Sequence, residues 1–167
     1  TRYPFSARDN VALSSLGGEP DEGLLAAAVE RSGMASLLER LPGGLGTPLS
    51  TQYAGGTDLS GGQWQRVALA RALYAVGRGG GVLVLDEPTS QLDVRAEAAF
   101  YDRFLELTAG VTTLVISHRF ATVRRADRIA VLDGGRITEL GTHEELLAGG
   151  ATYAEMFHAQ AAAFTEP

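Results

Sequence analysis

The chain has 167 residues, 45% hydrophobic and 20% charged, and its 14 basic against 20 acidic residues leave a net charge of −6. That length supports one compact domain with its own core, and the composition is that of an ordinary globular protein rather than a disordered one. The acidic balance disfavours a nucleic-acid surface, which needs a basic face. With no Cys there is neither a disulfide framework nor a thiolate metal site. No apolar run reaches the roughly 20 residues of a spanning helix, and no signal peptide is visible.

Thr1–Leu16 opens with a proline turn, after which Ser6 is placed to cap a short helix, with Asp9 three residues on. Glu19–Leu41 reads as helical. Pro20, Asp21 and Glu22 suit a start, and Leu24, Leu25, Ala28 and Val29 form an apolar stripe of helical period. Gly33 ends that helix and Met34–Leu41 supplies another, before a Gly-, Thr- and Ser-rich loop over Pro42–Asp58. Leu59–Gln63, LSGGQ, then precedes a helix over Trp64–Val76 that Ser60 is placed to cap. A helix start offers free N–H groups and positive partial charge, and glycine lets a phosphate approach the backbone, so this is the form of an anion site.

After a turn at Gly77–Gly81, Val82–Leu85 is a continuous apolar run ending in Asp86 and Glu87. It has the form of a buried parallel strand delivering carboxylates at its C-terminal edge, where open α/β sheets bind ligands. One carboxylate can serve as a hard oxygen ligand for Mg²⁺ and its neighbour can polarise a water. PTSQLD (Pro88–Asp93) follows, then a helix over Val94–Thr108, then a second buried strand, Val111–Ile116, that delivers Ser117 and His118. Arg119–Ala126 reads as a short helix. Arg128–Leu132 and Arg136–Leu140 are strands joined by a hairpin turn at Asp133-Gly134-Gly135. Thr142 and Glu145 form a capping box for a helix over Thr142–Ala148, and Tyr153–Phe164 is the last helix. His143, at a helix entry, and His158, inside the last helix, are read as structural.

In this order and at this spacing, LSGGQ, VLVLDE, PTSQLD and the strand-end His118 resemble the ABC-transporter ATPase family. The continuous text SHRFATVRRADRIAVLDGGRITELGTHEELL is similar to bacterial exporter-type members in particular. Two positions depart from the family pattern: Gln91 stands where SALD is commoner, and Ala54 stands where the exporter loop often carries a Glu that reaches a coupling helix. The resemblance covers the whole chain. It implies an α/β fold, a partial P-loop NTPase-type core with a mainly parallel sheet (residues 77–167) plus an α-helical signalling subdomain (residues 1–76).

The resemblance also implies roles. Ser60, Gly61, Gly62 and Gln63 would face the γ-phosphate of ATP held by a second ABC ATPase domain, identical or different. Asp86 would hold Mg²⁺, Glu87 would polarise the attacking water and His118 would contact the γ-phosphate, while Asp93 would lie in a loop crossing the dimer interface. The intact protein would be a Mg²⁺-dependent ATPase coupled to a transmembrane domain on the cytoplasmic face of the bacterial plasma membrane, with no nucleic-acid partner. A phosphate-cradling P-loop requires GxxxxGK[ST], and the chain contains no Lys. It therefore reads as the C-terminal portion of such a domain, expected to be inactive by itself and to expose apolar surface and strand edges. Two other readings are a non-catalytic remnant that pairs with a complete subunit, and an ABC ATPase acting on nucleic acid or the ribosome.

Overall fold

The computed structural model describes residues 2–15, 18–88, 101 and 104–163, which fall into two units, Thr1–Leu114 and Val115–Pro167. Among the described residues no helix is long and apolar enough to cross a membrane. The strand ending in Asp86 pairs with the one before His118, as an α/β fold with a parallel pair requires.

Local capping sets the helices of the first unit. Ser6 Oγ accepts from the Asp9 N–H at 3.0 Å to start α1 (Ala7–Val11), which runs into a 3₁₀ turn, Ala12–Ser15. Asp21 Oδ1 accepts from the Leu24 N–H at 2.9 Å to start α2 (Glu22–Arg31). Gly33, at φ +70°, turns the chain into the single-turn α3 (Ala35–Leu38). α4 (Gly61–Gly77) is the long element of this unit, and α1, the 3₁₀ turn and α2 all pack against it. Val11, Leu25, Met34, Val67, Tyr74 and Phe104 meet there in one fully enclosed cluster.

Two polar nodes tie this cluster together. The wholly buried Asn10 donates its side-chain N–H groups to the carbonyls of Tyr3, Phe5 and Ser6 at 3.0, 3.2 and 3.1 Å. Arg71 of α4 grips the same residue twice, through Nε to the Asn10 carbonyl at 2.7 Å and Nη2 to its Oδ1 at 2.8 Å. Further along α4, the buried Tyr74 hydroxyl meets Ser15 Oγ at 2.7 Å and accepts from the Asp21 N–H at 2.9 Å.

β1 (Val82–Asp86) pairs with β2 (Thr112–Ile116). The expectation of two buried strands needs correction. Leu83 and Leu85 pack on the helical cluster, whereas Val82 and Val84 are 68% and 58% exposed, and Leu114 and Ile116 55% and 49%. Successive side chains of a strand point to opposite faces, and among the described residues only one face has something to pack on. Asp93 and most of the helix expected over Val94–Thr108 lie outside the described residues; residues 104–107 are helical.

The second unit contains a short α5 (Phe120–Val123) and the antiparallel pair β3 (Ile129–Asp133) and β4 (Arg136–Gly141). Gly134 and Gly135 make its two-residue turn with φ +52° and +76°, the conformation that matches strand twist and that glycine adopts without cost. A register shift between Val131 and Leu132 bulges β4. α6 (His143–Gly149) begins with the anticipated box, Thr142 Oγ1 accepting from the Glu145 N–H and Glu145 Oε2 from the Thr142 N–H. α7 (Thr152–Ala163) closes the unit, with Tyr153 buried against Ile129 and Leu146 and packed on by Phe120.

Truncating Asn10 removes its side-chain bonds to three carbonyls and the one it accepts from Arg71 Nη2. Asn10→Ala is expected to destabilise the chain by about 2–3 kcal/mol, read from urea melts. The bare face of β1 and β2 leads to a second expectation: the 167-residue chain alone binds an apolar fluorescent dye and self-associates, and Val84→Thr with Leu114→Thr reduces both. A monodisperse, dye-silent wild-type chain would contradict it.

Candidate functional site

Ser60 has extended backbone, φ −63° and ψ 162°, and starts α4 with a reciprocal box. Its Oγ accepts from the Gln63 N–H at 3.4 Å, and Gln63 Oε1 accepts from the Ser60 N–H at 2.7 Å. Both of those amides are thereby satisfied within the chain. The next two, Gly61 and Gly62, have no internal acceptor among the described residues, because the carbonyls four positions back precede the helix. They stand at the positive end of a 17-residue helix, with the Ser60 hydroxyl hydrogen free to turn toward the same side. A Cβ placed on Gly62 would meet nothing within 4 Å. The chain's own packing does not demand glycine there.

At the end of β1, Asp86 is exposed and Glu87 half-buried. Glu87 has φ +46°, and it is the one non-glycine residue with positive φ among the described residues. A branched or long side chain holds that left-handed backbone at a cost on the order of 1–3 kcal/mol, and such strain concentrates where a side chain must be aimed. Gln65, in the first turns of α4, donates through Nε2 to the Pro88 carbonyl at 2.8 Å. The helix that begins with LSGGQ is thus fastened to the backbone immediately beyond Asp86 and Glu87.

Motif reasoning missed Gln65. Its signal was present: Gln65, Leu69 and Ala72 lie on one face of α4, the face lining an open hollow of about 420 Å³ against Leu83, Leu85 and Asp86. A polar side chain on an otherwise apolar stripe needs a partner, and the partner is a carbonyl that only the folded chain supplies.

In the second unit, the exposed His118 follows β2. Its carbonyl accepts from Gln160 Nε2 at 3.2 Å, and Gln160 Oε1 accepts from the Phe120 N–H at 3.0 Å. Of the other two histidines, His143 is packed and hydrogen-bonded while His158 is exposed. His143 Nδ1 lies 2.8 Å from the Tyr153 hydroxyl, with its ring edge-on to Tyr153 and Phe157. Burial, with the Glu144 carboxylate adding to it, holds the Tyr153 phenol above its ordinary pKa. His158 makes a ring contact with its neighbour Phe157. Of the expected site residues, the structure therefore places Ser60–Gln63, Asp86 and Glu87 in one unit and His118 in the other, and Asp93 lies outside the described residues.

The family model described as ABC transporter matches residues 5–90, a span holding both the LSGGQ helix and the Asp86–Glu87 strand end. The chain belongs to the ABC transporter family. It is 42% identical over 158 residues to an ATP-dependent lipid A-core flippase of a Polaromonas species, covering 94% of this chain and 26% of that protein. It is 41% identical over 161 residues to the cyclolysin secretion/processing ATP-binding protein CyaB of Bordetella pertussis, covering 96% of this chain and 22% of that one. Among solved structures it is similar to a bacterial Atm1-family ABC exporter with ATP bound, with a TM-score of 0.78, 34% identity, and coverage of 95% of this chain and 26% of the other. The chain thus spans about a quarter of the length of these proteins.

The open space at Gly62 yields an expectation opposite to that for a packing glycine. Gly62→Ala raises the unfolding free energy by about 0.5–1 kcal/mol, since alanine is the better helix former, whereas Ser60→Ala lowers it by about 1 kcal/mol through loss of the cap. Denaturant melts of the two variants check both signs.

Proposed function

We propose that this chain is the C-terminal part of the ATP-binding domain of a bacterial ABC exporter, acting at the cytoplasmic face of the membrane as half of an ATPase dimer. In this reading residues 1–76 are the helical signalling subdomain and 77–167 half of the ATP-binding core. The observation that supports it is the Gln65–Pro88 tie, which joins a helix start with two open glycine amides to a carboxylate-bearing strand end. The exporters it is similar to include one solved with ATP bound, which favours a nucleotide as the anion.

Each group then has a task that its surroundings suit. Gly61 and Gly62 offer N–H groups, and Ser60 a hydroxyl, to the γ-phosphate presented by a partner domain. Asp86, exposed at a strand end, is a single hard oxygen donor. That fits Mg²⁺, which keeps several waters and takes one or two protein carboxylates with substrate phosphates. When bound, Mg²⁺ neutralises charge on the phosphates. Glu87, aimed by its left-handed backbone, accepts the proton of the attacking water, and His118 contacts the γ-phosphate. Asp93 belongs to the loop that crosses the dimer interface. The phosphate-cradling Lys comes from outside this chain, which has none.

In the complete transporter, Glu87→Gln is expected to lower kcat by roughly 10²-fold or more while nucleotide affinity holds, because it removes the base and keeps the shape. Unaltered turnover would remove Glu87 from this role. The purified 167-residue chain alone is expected to release no phosphate from Mg-ATP above buffer, and steady turnover would overturn its assignment as a partial site.

A further inference from the structure

Outside the groups already given a role, Gln160 makes two directed contacts through one amide. It lies half-buried on α7, and both ends of its amide are spent on one three-residue turn: Nε2 donates to the His118 carbonyl and Oε1 accepts from the Phe120 N–H. β2 ends at Ile116 and α5 begins at Phe120 with Arg119 as its cap: the Arg119 carbonyl accepts from the Thr122 and Val123 N–H groups at 3.1 Å, and the Arg119 N–H donates to Ser117 Oγ at 3.1 Å. The His118 carbonyl and the Phe120 N–H, on either side of Arg119, are the groups that Gln160 takes.

α7 in turn is well anchored. Tyr153, Phe157 and Gln160 recur at helical spacing on one face. The Phe120 ring packs edge-on against the first two, with centroids 5.2 and 5.4 Å away. The Tyr153 N–H donates to Glu139 Oε1 at 3.2 Å, and its hydroxyl meets His143. The face of α7 therefore holds this turn by two aromatic contacts to Phe120 and two hydrogen bonds of the Gln160 amide.

We infer that Gln160 is a positioning residue for His118: by bridging the His118 carbonyl and the Phe120 amide it fixes the two peptide units around Arg119, and so the direction in which the exposed imidazole leaves the backbone. The inference rests on the proposed role of His118 at the γ-phosphate. A primary amide is suited to this task because it carries a donor and an acceptor side by side, as the turn requires. Glutamate lacks the donor, and methionine, of similar length, lacks both.

The test is a cycle in the complete transporter of Gln160→Met, His118→Ala and the double variant, reading kcat, ATP affinity and thermal midpoint. Gln160→Met is expected to lower kcat about 10- to 100-fold with ATP affinity held, the scale of a misplaced catalytic contact. It should add nothing further in the His118→Ala background. Equal losses with and without His118 would overturn the inference by making Gln160 a general stabiliser. Normal kcat for Gln160→Met beside a damaged His118→Ala would overturn it and leave the proposed function standing. An undamaged His118→Ala would remove the role of His118, and the inference with it.

Hydrogen exchange in the wild-type transporter gives a check that needs no variant to fold. The Phe120 amide should be protected, and an unprotected Phe120 amide beside a protected Tyr153 amide would overturn the clamp. Gln160→Glu, which keeps only the bond from Phe120, should retain that protection.

Discussion

The first unit depends on α4. A helix of 17 residues has a polar beginning that must meet solvent or an anion, and an apolar flank that must be covered. LSGGQ answers the first demand by satisfying the Ser60 and Gln63 amides internally and leaving the two glycine amides bare. Val67, Leu73 and Tyr74 answer the second by receiving α1 and α2. Once this helix is placed, the loop before it and the strand after it have few alternatives.

Hydrogen bonds to backbone atoms lock the placement, and this matters because hydrophobic contact alone is non-directional. Asn10 spans three carbonyls and Arg71 reads Asn10 twice. Tyr74 fixes the junction before α2, and Gln65 fixes the strand end. Burial lowers the Arg71 pKa from its ordinary value, with Tyr3 opposing the shift, yet a guanidinium remains charged at neutral pH. Its charge is balanced by oriented carbonyl and amide dipoles and by the Tyr3 ring, whose centroid lies 4.9 Å away. Gln160 uses the same device in the second unit.

How much of this was legible beforehand follows the range of the interaction. The caps at Ser6, Asp21, Ser60 and Thr142 and the turn at Gly134-Gly135 were legible because each is decided within four residues. The strand positions were legible too, but their burial was not. An apolar run reports what a strand would bury in a complete sheet, and Val82 and Val84 are exposed where the described residues offer nothing to cover them. Gln65 showed only as a polar position on an apolar stripe and Gln160 not at all, because their partners, the Pro88 carbonyl and the His118 turn, are 23 and about 40 positions away.

The sequence by itself determined the family, the order of helices and strands, and the residue types available to bind phosphate, because these reside in short spacings and in the chemistry of single side chains. Tertiary structure alone decided that Glu87 takes a left-handed backbone, that Gln65 reaches the Pro88 carbonyl, and that Gln160 grips the turn of His118. Those outcomes depend on which backbone groups arrive within about 3 Å of a side chain, and hydrogen-bond geometry is too short-ranged and too directional to be set before the chain has closed on itself.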